Sequence, residues 1–228
     1  MQLRSGATVK VMLPLSGLLL LAAFAGASPA LAPRSTVVPM DAPAWTILYS
    51  PGMPAHPSPR ETGGWYFDFP SAPGSVHYVT AAVNMIASKS VSAIIEVTTA
   101  GPPIFEYALQ ANNTCVNPAH VRLLLQEKGD DLSGAGGKQF YRWWSIKAAY
   151  ELAPGSTVLT AKISDPSQWV SVLGERADAS AAATAGFRRA MNNLGAVGFS
   201  FGGGCFFGHG VRVSGGGARF AVTSYIVE

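Results

Sequence analysis

The stretch His120-Val121-Arg122-Leu123-Leu124-Leu125-Gln126-Glu127 reads as a β-strand. Successive side chains of a strand point to opposite faces. Val121, Leu123 and Leu125 therefore share one face, and Arg122, Leu124 and Gln126 share the other. The first face is a core face. The second carries two planar polar groups outward from a sheet. Tyr141-Arg142-Trp143-Trp144-Ser145 does the same on a second strand: Tyr141, Trp143 and Ser145 lie on one side, Arg142, Trp144 and Ile146 on the other. The alternation assigns one tryptophan to the core and its neighbour to a surface or a place under a loop, without saying which is which.

Outward from this centre the pattern recurs. Strand signals fall at Trp45 to Tyr49, Trp65 to Phe69, Val76 to Val83, Val91 to Thr99, Pro103 to Leu109, Phe140 to Leu152, Val158 to Ile163, Val197 to Phe201, Phe206 to Val213 and Arg219 to Val227. Short β-branched and aromatic runs with turn residues between them are the signature of a sandwich or barrel. No strand–helix–strand alternation is present, which excludes a parallel α/β sheet. One segment breaks the pattern. Ala179 to Leu194 spaces Phe187, Ala190, Met191 and Leu194 as a helix does, with Arg188, Arg189, Asn192 and Asn193 on the other side. Gly195 is the expected left-handed cap. The reading is all-β, a two-sheet antiparallel jelly-roll sandwich with one crossing helix.

Residues 1–32 have the layout of an export signal: Arg4 and Lys10, then the apolar run Leu18 to Phe24, then small residues. Cleavage is expected after Ala32, with Ala25-Gly26-Ala27 as an alternative. The apolar run, interrupted by Pro14 and Gly17, is shorter than the ~20 residues of a membrane span. Arg4 and Lys10 are the segment's only charges, so the formal net charge of +3 falls to +1 once it is removed. A near-neutral domain with scattered Lys and Arg lacks the basic stripe a nucleic acid requires. Residues 33–62 are dense in proline, which forbids a helix and interrupts ladders. They are read as an extended lead-in, packed along an edge or serving as a tether, before a sandwich over 63–228. A secreted or periplasmic location makes Cys115 and Cys205 a candidate bridge; on the chain-entropy account, closing about 90 residues stabilises by ~4–5 kcal/mol. Two buried thiols are the alternative.

The chemistry-bearing residues are aromatic and planar polar. A sugar ring has an apolar face of C–H groups and a rim of hydroxyls; an aromatic ring complements the first, and Arg, Gln or Asn the second. Arg122, Gln126, Arg142, Trp144, Trp169 and His209 are the expected ligand-binding set. His209 stands in Gly202-Gly203-Gly204-Cys205-Phe206-Phe207-Gly208-His209-Gly210, where glycines admit bulges or close approach of a ligand. That stretch lacks the ending of a phosphate loop. Glu127, Asp130 and Asp131 gather at a strand end, as a solvated turn or as ligands for a structural calcium ion. No catalytic set is spelled out. There is no nucleophile elbow and no His-Glu-x-x-His zinc motif; His77, His120 and His209 have no spacing that demands a metal. Glu96, Glu106 and Asp165 are carboxylates that nothing in the sequence links.

The succession Val121 to Glu127, Tyr141 to Ser145, Ser164-Asp165-Pro166-Ser167-Gln168-Trp169 and the closing strand Phe220 to Ile226 resembles galactose-binding-like jelly-roll carbohydrate-binding modules. The resemblance covers roughly the last hundred residues in layout and implies a sandwich that recognises a glycan or polysaccharide on one sheet. A carbohydrate-active lyase or hydrolase on the same fold, and a structural or adhesive surface protein, are the alternatives.

Overall fold

The computed structural model describes residues 35–107, 118–204 and 207–228. Residues 33–228 form one compact unit. Residues 1–32 lie outside the described residues, and so do Cys115, Cys205 and Phe206, so the expected bridge falls there too.

Strands are numbered in chain order. The first sheet runs β11 (Gly155–Lys162), β6 (Ser90–Ala100), β15 (Gly217–Val227), β4 (Trp65–Asp68), β3 (Ser58–Pro59), with β1 (Thr36–Val37) along the far end of β15. The second runs β12 (Trp169–Ser171), β9 (Arg142–Ser145), β8 (Ala119–Glu127), β13 (Leu194–Gly203), β5 (Tyr78–Met85), β2 (Trp45–Leu48), and β10 (Tyr150–Glu151) joins β8 beyond β9. A small ribbon pairs β7 (Ile104–Tyr107) with β14 (Val211–Ser214). All pairings are antiparallel. This is the all-β jelly-roll sandwich that the alternation of side chains implies.

Aromatic rings hold the layers together. Trp45 of the second sheet meets Trp65 of the first at 4.9 Å between ring centroids, Phe201 meets Phe67 at 5.6 Å, and Phe199 meets Phe220 at 5.5 Å. Edge-to-face and offset pairs at such spacings add to the area that the rings bury. Val121, Leu123 and Leu125 all face this core, fully buried.

The proline-rich segment lies along the sheets as strands. It supplies three strands: β1 pairs with β15, β2 with β5, and β3 with β4. Trp45 is fully buried at the centre of the aromatic core, and its indole donates to the Pro39 carbonyl at 2.7 Å. Of these, β2 carries the strand signal of Trp45 to Tyr49; β1 and β3 are two residues long, too short for periodicity to register between the prolines. Proline is tolerated at sheet edges, and β2 and β3 are edge strands. The 140–152 run likewise splits into β9 and β10, and β12 is a three-residue strand that the pattern did not announce.

The helix α1 spans Ala181–Met191, capped by the Ser180 side chain, which accepts from the Ala183 N–H. Its expected stripe is the buried one: Phe187, Ala190, Met191 and, just beyond, Leu194. Phe187 sets its edge against Trp143 at 5.1 Å and lies 6.0 Å from Trp169. The cap, however, is Asn192 in right-handed conformation. Gly195 belongs to β13, where a Cβ would meet the Lys128 backbone at 2.8 Å. Its role is close approach of two chains and not a left-handed turn.

Candidate functional site

The outer face of the second sheet, turned away from the core, gathers four of the six expected residues. Strand register makes its rows explicit. Arg142 pairs with Gln126, and Gln126 with Ala196. In the next row Val170, Trp144, Leu124, Gly198 and Thr80 follow one another across five strands. In the third, Arg122 faces Ser200, Ser200 faces Tyr78, and Tyr78 faces Leu48. Arg122, Gln126, Arg142 and Trp144 thus share one surface, as period two requires.

That surface is roofed. Arg122 and Gln126 are 5 % exposed, Trp144 3 % and Arg142 2 %. Tyr78, Leu124, Trp144 and Val170 form a second apolar cluster, closed by Leu48, Leu132, Ile146, Val172 and Phe207. Of the two places expected for the second tryptophan, at a surface or under a loop, it takes the latter. Trp143 is in the main core; Trp144 is on the opposite face, as the alternation says, covered by segments distant in sequence. Trp169 is corrected. Its ring is fully buried in the main core, and its indole donates to the Lys162 carbonyl at 3.0 Å, so it presents no face to a ligand. His209 is half-buried in the turn after Phe207, close enough to His77 to disfavour its protonation.

Polar groups under the roof are held in a network. Asp130 Oδ2 accepts from Gln126 Nε2 at 2.7 Å and from Arg142 Nε at 3.0 Å, while its Oδ1 accepts from the Leu132 N–H at 3.1 Å. Side chains of Arg142 and Asp130 are 3 % and 1 % exposed, a buried ion pair. The Arg142 guanidinium also lies 5.4 Å from the Trp144 ring and 5.9 Å from the Tyr78 ring. Arg122 donates to the carbonyls of Ser145 and Gly204, each at 3.1 Å, and sits 4.1 Å over the Phe207 ring. Burial pulls the Arg122 guanidinium down to about 10, still protonated at neutral pH. Burial also pushes the Tyr78 hydroxyl up, against the pull of Arg142.

An open groove of about 490 Å³ lies on the same face, at the Gln126 end. Thr80, Gln126 and Ala196 lie along it; Leu48 and Tyr49 stand on one side, Lys128 to Leu132 on the other. Its size falls in the ~300–1,000 Å³ range of ligand sites. Tyr49 is 64 % exposed. Tyr49 and Leu132 have φ of 52° and 63°, and among the described residues they are the non-glycine positions with positive φ. A left-handed backbone costs a side-chain-bearing residue roughly 1–2 kcal/mol. Such strain persists where surrounding structure enforces it, typically around ligand sites. Both strained residues line this groove. Sequence reasoning missed Tyr49, because the groove joins β2, β8 and a loop that only the fold brings together; its one signal was an aromatic residue directly before Ser50-Pro51.

The three acids read as a solvated turn or as calcium ligands are each taken by a different cation. Glu127 accepts from Arg189 Nε at 2.9 Å, Asp130 pairs with Arg142, and Asp131 with Lys138 at 2.8 Å. The bonds from Lys138 and Ser133 hold the Asp131 carboxyl well below the usual range. Among the described residues no three His, Cys, Asp or Glu side chains come together to hold a metal. Of the unlinked carboxylates, Glu96 pairs with Arg60 and Glu106 with Arg212, and Asp165 accepts from Ser167 and Gln168. They stand on three different elements. Among the described residues no helix is long and apolar enough to cross a membrane.

Histidines surround the roofing turn. His77 Nδ1 meets the Gly208 carbonyl at 2.9 Å, and its Nε2 the Ser75 hydroxyl at 2.8 Å. Gly208 has φ of 70°, and a Cβ there would run into the Tyr78 hydroxyl; only glycine lets the turn lie this close. Burial, more than the opposing Gly208 bond, lowers the His77 pKa from 6.5, and burial lowers His120 and His209 too. A lowered histidine stabilises the fold above its unfolded value, and that stability is lost as pH falls through the folded value. The urea midpoint is therefore expected to fall between about pH 6.5 and pH 5, before most carboxylates titrate, and His77→Gln to flatten part of that slope. An unchanged midpoint over this window would contradict the burial argument.

No protein-family model and no curated protein matches the chain. Among solved structures it is similar to one described as "xylan-binding module CBM15", at 12 % identity and a TM-score of 0.41, over 83 % of this chain and 96 % of that one. A likeness this remote carries no argument about function, which rests on the groove itself.

Proposed function

We propose that this chain is an exported carbohydrate-binding module that holds a glycan in the groove between Tyr49 and the 128–132 loop. The observation that carries the reading is Tyr49: an exposed ring, kept in a left-handed backbone, beside a groove floored by Thr80 and Gln126. Its ring offers an apolar plane to the C–H face of a sugar. Thr80, Gln126 and the Asp131 carboxylate offer hydroxyl partners. Arg142, through Asp130, fixes the Gln126 amide. Arg122 and Trp144 support the same face from beneath the roof. The leader-like residues 1–32 support export, which brings the domain to extracellular or periplasmic polysaccharide.

The test is affinity electrophoresis of the protein through gels containing neutral polysaccharides, with titration of matching hexasaccharides. Tyr49→Ala is expected to weaken binding at least tenfold, which is about 1.4 kcal/mol, with the circular dichroism spectrum unchanged. Tyr49 is exposed and its backbone strained, so its replacement does not endanger the fold. Equal retention of the variant and the parent would remove the groove from the reading.

A further inference from the structure

Five buried side-chain polar atoms among the described residues have no hydrogen-bond partner in the protein, and three of them share one small patch: Arg122 Nε, Trp144 Nε1 and Ser200 Oγ. All three residues are at least nine-tenths buried, at 5 %, 3 % and 1 % exposure. Arg122 and Ser200 are direct cross-strand partners, and Trp144 faces Leu124, one rung along on the same face. An unmet buried polar group costs about 1–3 kcal/mol, so native proteins rarely keep three side by side. The two terminal nitrogens of Arg122 donate to backbone carbonyls, so its deficit is confined to Nε.

Phe207 covers the Trp144 and Arg122 part of the patch. Phe207 is half-buried, 5.7 Å from Trp144 between centroids, and lies under the Arg122 guanidinium at 4.1 Å. Its ring is tilted by 57° to that of Trp144 and fills the space a pyranose would need to lie on the Trp144 face. The patch is continuous with the open groove, because Leu48 and Leu132 both line the groove and pack into the cluster that holds Trp144 and Phe207.

We propose that Arg122, Trp144 and Ser200 form a second, covered subsite that takes a neutral sugar residue when its ring replaces Phe207 on Trp144. Two N–H donors and one hydroxyl suit the oxygens of vicinal sugar hydroxyls, and no carboxylate belongs to the triad. A tilted ring contact is exchanged for a stacked one, while three unmet groups gain partners. The assignment rests on the glycan reading of the groove.

The experiment uses the full chain and hexasaccharides of glucose, xylose, mannose and galactose, with calorimetric titration and proton–nitrogen NMR of the five indoles. Phe207→Ala is expected to bind the preferred hexasaccharide three- to tenfold more tightly than the parent, and Ser200→Ala to cancel that gain. In the parent the Trp144 indole N–H resonance, assigned with Trp144→Phe, is expected to move on saturation. That of Trp65, also unpartnered but sealed in the main core, stays in place. A hexasaccharide that binds through Tyr49 yet leaves the Trp144 resonance unmoved, with no gain from Phe207→Ala, overturns the subsite and leaves the groove standing. Binding of none of the four overturns the glycan reading and the subsite with it.

Discussion

A chain that begins at Gly63 is expected not to fold, whereas one that begins at Pro33 keeps every strand of the sandwich. Starting at Gly63 removes β1, β2 and β3 and with them Val38, Trp45 and Ile47, all buried in the main core. Trp45 touches rings in both layers: Trp65 at 4.9 Å, Tyr225 at 5.5 Å and Phe199 at 6.1 Å. Truncating one such ring to alanine costs about 3–5 kcal/mol, against a net stability of about 5–15 kcal/mol for an ordinary domain. The point variant Trp45→Ala is thus expected to stay folded but weakened. Losing the whole segment also bares the edge of β5 along Tyr78 to Ala81, an invitation to aggregation. Near-UV circular dichroism and urea unfolding check this directly. A sharp, cooperative transition for the chain from Gly63 would show the segment to be dispensable.

This prediction marks where the sequence stops being legible. Period-two alternation in β8 and β9 groups the side chains by face correctly, with Arg122 and Gln126 opposite the core face of β8 and Arg142 beside Trp144 on one face of β9, although in β9 it does not say which face is core. The stripe on α1 is read correctly for the same reason: both patterns come from geometry local to one element. Burial of the outer face is a different matter. It depends on Leu132 and Phe207, which arrive from loops, and no periodicity in β8 or β9 encodes a roof. Trp169 went astray because β12 is three residues long, too short for alternation to separate core from surface. Tyr49 went unnoticed because its value lies in exposure beside a groove made by segments nearly eighty residues apart. The acids at 127–131 look like a cluster in one dimension; in three, Arg189, Arg142 and Lys138 approach from separate elements and divide them.

Loss of the Asp130 carboxylate is expected to be the most damaging single change on the outer face. Its side chain is 1 % exposed and is the ion partner of Arg142, itself 3 % exposed. Removing one member of a buried pair leaves the other charge unpaired in a poorly solvated place, which costs about 3–5 kcal/mol. Asp130→Ala strands Arg142, frees the Gln126 amide, and releases the Leu132 N–H that holds a left-handed backbone. Its neighbour supplies the contrast. Asp131 pairs with Lys138 in water, where such pairs contribute about 0–1 kcal/mol, so Asp131→Ala is expected to leave the urea midpoint nearly unchanged. The double change Asp130→Leu with Arg142→Met should recover most of the stability lost in Asp130→Ala, because an apolar pair of similar bulk removes the stranded charge. It should not recover glycan affinity, since the Gln126 amide stays unanchored beside the groove. Equal stability of the two single variants would mean that Arg142 reaches solvent, and the buried pair would then not be what shapes the groove.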